Sequence, residues 1–174
     1  MCLVYLIASL SIVVSFLVLF YTFKLGISPM PSSRKATRAM LTLLKESDPK
    51  MIYELGSGWG GLAVQIAKTF PHAKVVAFEL SPIPYLWSKI QSFKMKNLSF
   101  YRRDFLQEDL SSADTVFCYL YPKGMELIEK KLQKQIVISN SFALPNRKPT
   151  KTLYVNDFSA TPIYRYGPDT FEAL

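Results

Sequence analysis

Residues 51–61, with the sequence M-I-Y-E-L-G-S-G-W-G-G, constrain the fold of this chain more than any other stretch. A short apolar run leads into a glycine-rich corner, and an amphipathic segment over residues 62–70 follows it. Glycine reaches positive φ freely, and the first amides of a helix point toward the loop before it. The stretch therefore predicts a strand, a tight loop and a helix, with a small ligand at the carboxyl end of the strand.

Two ligand classes fit this corner. Counted from Gly56 as G-x-G-x-x-G, it matches the dinucleotide fingerprint, and Glu79 follows about 20 residues later, where a ribose-binding acid is expected. Counted from Glu54 as E-x-G-x-G-x-G, it resembles motif I of the class I S-adenosylmethionine (AdoMet) methyltransferases. A carboxylate at the end of the strand suits a ligand with an ammonium and a sulfonium, whereas it would repel a pyrophosphate. We therefore favour AdoMet over a dinucleotide.

The N-terminal stretch over residues 3–23 carries no charge and is long enough to cross a hydrocarbon core. No Lys or Arg precedes it, so a cleaved signal peptide is disfavoured. We predict a transmembrane anchor over residues 1–24, a linker over 25–33 and a methyltransferase domain over 34–174. The first charged residues, Lys24, Arg34, Lys35 and Arg38, are all basic. This bias predicts a domain on the cytoplasmic side of a bacterial inner membrane, or in the topologically equivalent compartment at the mitochondrial inner membrane of a eukaryote.

Composition narrows the partners further. The formal net charge of +8 is explained by attraction to anionic lipid headgroups. Because this explanation does not require a nucleic-acid partner, we do not expect an RNA or DNA substrate. The single histidine, His72, and the two separated cysteines, Cys2 and Cys118, do not make a metal site. We expect no metal.

After a lead-in helix over residues 34–45, strand and helix patterns alternate. The predicted strands cover residues 51–55, 74–80, 98–102, 115–120 and 135–141, and the predicted helices cover 62–69, 85–96 and 125–132. The helix over 85–96 places Leu86, Ile90 and Phe93 on one face. Two short runs, 152–156 and 163–166, suit a terminal antiparallel pair. The pattern predicts an α/β, three-layer Rossmann-like sheet that is mostly parallel with an antiparallel C-terminal strand.

Over residues 50–165 the motifs stand in the order that class I AdoMet methyltransferases use. More narrowly, four stretches look like the small membrane-attached lysine methyltransferases related to those that modify the ATP synthase c-subunit and the adenine nucleotide translocase. These stretches are Y-E-L-G-S-G-W-G (53–60), F-E-L-S-P (78–82), Y-L-Y-P-K-G-M (119–125) and N-S-F-A-L-P (140–145).

The resemblance implies cofactor-binding residues at the ends of the first three strands. They are Glu54, Gly56, Ser57, Gly58, Gly60, Glu79, Asp104 and Phe105. Glu54 would lie near the ammonium of AdoMet, and Glu79 would accept hydrogen bonds from the ribose hydroxyls. Asp104 would bind the adenine amino group, with Phe105 against the ring. An exposed ion pair with Arg102 or Arg103 is the rival explanation for Asp104.

The resemblance also places the methyl acceptor at Tyr119, Tyr121 and Pro122, where the tyrosines would orient an amine or hold a methylated ammonium by cation–π contact. Tyrosines that only end a core strand are the alternative. No Asp or His stands out there as a base. We predict a membrane-anchored AdoMet-dependent methyltransferase that acts on a lysine of a membrane-associated protein. The alternatives are a lipid or small-molecule amine as acceptor, a nicotinamide-dependent oxidoreductase, and a non-catalytic membrane adaptor.

Overall fold

The structure is a computed structural model that describes residues 2–25, 31–45 and 47–167. Its helices are α1 (Cys2–Leu25), α2 (Arg34–Leu44), α3 (Gly61–Thr69), α4 (Pro82–Ser92) and α5 (Pro122–Glu129), with a short 3-10 helix at Phe105–Gln107. Its strands are β1 (Met51–Leu55), β2 (Lys74–Phe78), β3 (Leu98–Tyr101), β4 (Thr115–Cys118), β5 (Ile136–Asn140), β6 (Lys151–Tyr154) and β7 (Pro162–Tyr166).

The described strands form one sheet of seven strands in the order β3-β2-β1-β4-β5-β7-β6. Strands β1 to β5 are parallel, and β7 is antiparallel to both of its neighbours, β5 and β6. The predicted mostly parallel sheet with an antiparallel C-terminal strand is therefore confirmed. Because the chain leaves β1 toward β2 on one side and later returns to β4 on the other, the order reverses beside β1. A crevice at the carboxyl ends of the strands is expected at that point.

Two apolar layers cover the sheet. On one face, α2 and α3 pack through Met40, Leu43 and Ile66 onto alternate strand residues such as Ile52 and Phe117. On the other face, the core includes α5 and the segment after β3. Since side chains alternate along a strand, Glu54 shares the face of Ile52 and points toward the α3 layer. The three-layer prediction is confirmed.

The predicted elements are present, with shifts at their ends. Strand β1 has the predicted bounds, because the glycine at its end is a local stop signal. Helix α4 begins earlier than predicted, at Pro82, since a proline fits the first turn of a helix. Its face of Leu86, Ile90 and Phe93 is exposed rather than packed in the core.

Helix α1 runs without a break over 24 residues. Within residues 2–25, 31–45 and 47–167, however, no helix is long and apolar enough to cross a membrane. The predicted transmembrane anchor is therefore not confirmed. The predicted domain limits at 24, 33 and 174 stay predictions, and residues 26–30 and 168–174, which they include, lie outside the described residues.

Candidate active site

The glycine loop after β1 is shaped by three left-handed glycines. Gly56, Gly58 and Gly60 have φ values of 74°, 54° and 78°. The amides of Gly56 and Ser57 both donate to the carbonyl of Phe78 on β2, at 3.0 and 2.9 Å, and the amide of Gly60 donates to the carbonyl of Ser57 at 2.9 Å. The tight loop that the sequence predicted after β1 is therefore present, and the structure adds that it is held against the end of β2.

The glycines differ in what surrounds them. A Cβ on Gly58 would meet nothing within 4 Å, so that position faces open space. A Cβ on Gly60 would lie 2.7 Å from the Ser88 hydroxyl and 2.8 Å from the Phe100 ring. Because Gly60 has no side chain, Ser88 of α4 and Phe100 of β3 can pack directly against its backbone. At Gly58, by contrast, the backbone faces the open space of the cavity.

Glu54 is a buried acid at the carboxyl end of β1. It accepts a hydrogen bond from the amide of Ala63 in the first turn of α3, and burial raises its pKa from 4.5 to about 8, with a smaller contribution from the charge of Glu79. Its Oε2 and the nearby Ser57 hydroxyl are buried and have no hydrogen-bond partner in the described part of the chain. A buried polar atom without a partner is costly, so this pair is a site for a ligand that brings donors.

Glu79 ends β2 and is also buried. Its Oε2 accepts from the amide of Gly58 at 2.8 Å, and its Oε1 accepts from the amide of Ser81 at 2.7 Å. The carboxylate therefore connects the glycine loop with the start of α4. Each carboxylate oxygen has a second lone pair, so the predicted bonds to ribose hydroxyls require no loss of these two contacts.

A cavity of about 660 Å³ opens beside the loop, at the reversal of strand order next to β1. Five predicted site residues line it, namely Glu54, Gly56, Ser57, Gly58 and Tyr119. Cys118, at the end of β4, lines it too, and burial raises the pKa of its thiol to about 12. The cavity thus lies between the ends of β1 and β4.

The remaining predicted residues do not line this cavity. Asp104 accepts from the amide of Leu106 at 2.9 Å and caps the short 3-10 helix. Its rival role is not observed, because Arg103 pairs with Glu108 at 3.3 Å instead. Phe105 is buried in the core. Binding of adenine by Asp104 and Phe105 stays a prediction.

Three aromatic rings meet where β4 and β5 end. Tyr119 stacks on Phe142 with centroids 6.3 Å apart, and Tyr121 contacts the same ring edge-on at 5.7 Å. Pro122 follows as the exposed first residue of α5. The sequence placed the two tyrosines here but missed Phe142, because only the parallel pairing of β4 with β5 brings it close. Its sole signal was its position in the N-S-F-A-L-P stretch.

Helix α4 supports the loop from the side. The Ser88 hydroxyl lies 3.1 Å from the carbonyl oxygen of Gly58, and the Gln91 amide donates to the carbonyl of Trp59 at 2.8 Å. Trp59 and Trp87 both line the cavity. On the α2 side it is lined by Arg34 and Arg38 among others. Sequence reasoning assigned none of these α2 and α4 residues to the site, since the signal lies in tertiary contacts.

Comparison with known proteins agrees with this geometry. The sequence model of the ANTKMT methyltransferase domain family matches residues 54–151 of this chain. A protein-lysine N-methyltransferase of Saccharolobus islandicus (strain REY15A) is 27% identical over 136 residues, which cover 74% of this chain and 84% of that protein.

Two solved structures share the fold. An RNA methyltransferase from Salinibacter ruber, in complex with S-adenosyl-L-homocysteine, has a TM-score of 0.70 at 23% identity and covers 79% of this chain and 93% of its own. The N-methyltransferase NodS from Bradyrhizobium japonicum WM9 has a TM-score of 0.63 at 15% identity, with coverages of 77% and 94%.

Proposed function

The chain belongs to the ANTKMT methyltransferase family and is an AdoMet-dependent methyltransferase, and from this premise we propose that it methylates the side-chain amine of a lysine in a membrane-associated protein. The observation that carries the proposal is the buried Glu54 oxygen without a partner on the wall of the cavity, with the aromatic rings at the end of β4 nearby. With the enzyme class shown, the nicotinamide oxidoreductase and the non-catalytic adaptor lose their support.

The cavity residues fit AdoMet. The ammonium of its methionine part would give Glu54 Oε2 and the Ser57 hydroxyl the partners that they lack. Guanidinium groups bind carboxylates in a bidentate way, so Arg34 and Arg38, which also line the cavity, suit the methionine carboxylate. The open space at Gly58 leaves room for the ligand, and we assign the ribose to Glu79, whose carboxylate accepts from the Gly58 amide. Asp104 and Phe105 are assigned to the adenine side.

The three aromatic rings suit an amine acceptor. Bound AdoMet supplies an electrophilic methyl group on a sulfonium, and the acceptor nitrogen must approach it in line. Holding that nitrogen close and aligned supplies much of the acceleration. Tyr119, Tyr121 and Phe142 can bind a lysine side chain by apolar contact and its methylated ammonium by cation–π contact. The lysine acceptor is further supported by the archaeal relative, whose name gives it that activity.

Association with a membrane is supported by α1. No charged residue occurs from Cys2 to Phe23, and large apolar side chains such as Leu3, Leu10 and Phe16 are exposed along the helix. Exposed apolar surface of this extent marks an interaction site. We assign it to lipid, with the methyltransferase domain on the cytoplasmic side and anionic headgroups next to the basic residues that follow.

The cofactor site is tested by titrating AdoMet into the full chain by calorimetry. Gly58→Arg would fill the open space beside the loop, and Glu79→Ala would remove the acceptor of the Gly58 and Ser81 amides, so both variants are expected to lose binding. Glu126→Ala, at an exposed acid of α5, is the matched control and is expected to bind as the wild type does. Equal heats in all four proteins would reject the site.

The acceptor is tested by incubating membranes with the full chain and methyl-labelled AdoMet. We expect label in protein, mapped to lysine by mass spectrometry, and its loss with Phe142→Ala at unchanged AdoMet affinity. Label that is extracted with lipid instead would replace the protein acceptor with a lipid amine.

A further inference from the structure

Helix α4 turns its apolar side outward. Leu86, Ile90 and Phe93 follow one another at helical spacing and are 60%, 70% and 86% exposed, and Trp87 beside them is 52% exposed. The fully buried residues of the helix are small or compact, Pro84, Ser88 and Ser92, and Tyr85 is the large side chain of α4 that packs, half-buried, against the core. A helix of a globular domain normally shows the reverse arrangement. We call the four outward residues, Leu86, Trp87, Ile90 and Phe93, the α4 face.

The surroundings of the α4 face are basic. Residues 80–103 contain five basic residues and no acid. Lys89, Lys94 and Lys96 are exposed on α4 and in the turn after it. A helix with leucine, isoleucine, tryptophan and phenylalanine on one side and lysines beside them has the composition of helices that lie in the membrane interface. The lysines would face anionic headgroups, which attract basic side chains near the membrane surface.

We propose that the α4 face binds the surface of an anionic lipid bilayer. Two observations favour lipid over a protein partner. The charge around the face has one sign, which complements a negatively charged leaflet. Helix α1, whose large exposed side chains are apolar, also contacts α4, so the two apolar surfaces are neighbours. The inference adds a second lipid contact to the proposed attachment through α1, and it is tested separately from that attachment and from methyl transfer.

Contact between the α4 face and a bilayer would place the cavity beside the membrane surface. Trp87 and Gln91 belong to α4 and also line the cavity, together with Trp59 of the glycine loop. A bilayer at the α4 face would therefore lie next to the cavity, and the acceptor would reach the site along the membrane surface. Lysines that project far from the bilayer would be poor substrates for geometric reasons.

The experiment uses the two tryptophans of the chain. Trp59→Phe leaves Trp87 as the sole tryptophan, and the full-length variant is mixed with vesicles of phosphatidylcholine, with or without phosphatidylserine. Lipids brominated on the acyl chain quench a tryptophan that enters the bilayer. We expect a blue shift and strong quenching of Trp87 in the vesicles that contain phosphatidylserine, and weaker quenching at high salt or without the anionic lipid.

Ile90→Glu with Phe93→Glu in the same background is expected to abolish most of the quenching. The matched control is Phe158→Glu, which changes an exposed aromatic residue in the β6–β7 turn, at the opposite edge of the sheet from α4, and is expected to quench normally. Equal quenching in the double variant and its parent would overturn the proposal. A blue shift of Trp87 fluorescence that depends on protein concentration but not on lipid would also overturn the proposal. The α4 face would then bind a second copy of the chain.

The same proteins separate this inference from the proposed function. AdoMet affinity, measured by calorimetry, is expected to be equal in the double variant and its Trp59→Phe parent, because neither Ile90 nor Phe93 lines the cavity. If AdoMet failed to bind the wild type, the proposed cofactor site would fall, whereas lipid quenching of Trp87 would still decide the α4 face. If the double variant alone lost AdoMet, α4 would serve the site and not the membrane.

Discussion

Glu54→Gln is the change with the clearest expected signature. In the ligand-free protein, burial holds the pKa of the Glu54 carboxyl at about 8 instead of 4.5. The folded state therefore keeps a proton that the unfolded chain releases between these two pH values. Since stability falls with rising pH wherever the folded state binds more protons, the Glu54 contribution becomes more destabilising up to about pH 8. Glutamine keeps the shape and an acceptor oxygen for the Ala63 amide but does not titrate.

The expected size follows from the two pKa values. Between pH 6 and pH 8 the wild type should lose about 2 kcal/mol of unfolding free energy relative to Glu54→Gln. At pH 8 the variant should therefore be clearly the more stable protein. The measurement is urea unfolding of the full chain without ligand, followed by circular dichroism at both pH values.

The affinity for AdoMet should change with pH in the opposite direction to the stability and rise between pH 6 and pH 8. An ammonium pairs best with an ionised Glu54, and only about one molecule in a hundred is ionised at pH 6, against about half at pH 8. We therefore expect affinity for AdoMet to rise by about 50-fold over this range and close to one proton to be released on binding at pH 7. Calorimetry in buffers of different ionisation enthalpy measures both quantities. Glu54→Gln should bind weakly and show neither effect.

The control is Glu126→Gln, which removes an exposed carboxylate and should change neither pH profile. An AdoMet affinity of the wild type that is flat from pH 6 to pH 8, without proton release, would refute the assignment of Glu54 to the ammonium. A stability difference between wild type and Glu54→Gln that does not change with pH would refute the raised pKa.

Three further results are expected. Gly60→Ala should cost about 2–4 kcal/mol of stability, because the new Cβ adds a clash to the strain of a left-handed backbone. Gly58→Ala should cost about 1 kcal/mol, because it adds the strain alone. Similar melting temperatures of the two variants would contradict this distinction. Cys118 should resist iodoacetamide at pH 8 until the protein is unfolded, since its thiol is buried with a pKa near 12, and mass spectrometry should find Cys2 labelled first. Glu79→Ala should lose about 3 kcal/mol by leaving two amides without acceptors, and Glu79→Gln, which keeps one acceptor oxygen, should lose less in thermal unfolding.

The local parts of the fold could be predicted from sequence. The bounds of β1 and the glycine loop follow from residues that are adjacent in the chain, and a glycine at positive φ is a backbone property of one position. The positions of Glu54 and Glu79 could be predicted for the same reason, because each is an acid at the end of an apolar strand, whereas their roles toward AdoMet stay predictions. Partners from distant parts of the chain gave no such signal. Phe142 reaches Tyr119 only because β5 pairs with β4.

Helix α4 shows a different limit. The spacing of Leu86, Ile90 and Phe93 predicts a face correctly, but periodicity does not say whether that face points into the protein or out of it. The direction is decided by Ser88, which lies against Gly60 and the glycine loop. Asp104 illustrates the same problem, since an acid after a strand caps a short helix as readily as it binds a ligand.

The position of β7 has a consequence for biosynthesis. Residues 162–166 insert between β5 and β6, and Tyr166 is fully buried, with its hydroxyl accepting from the Leu144 amide at 2.8 Å. Until the ribosome has released this strand, the outer edge of β5 has no neighbour and a growing chain presents an unpaired sheet edge, which is prone to aggregation. A nascent chain arrested before residue 162 should therefore require a chaperone, even though every residue that lines the cavity has already been synthesised.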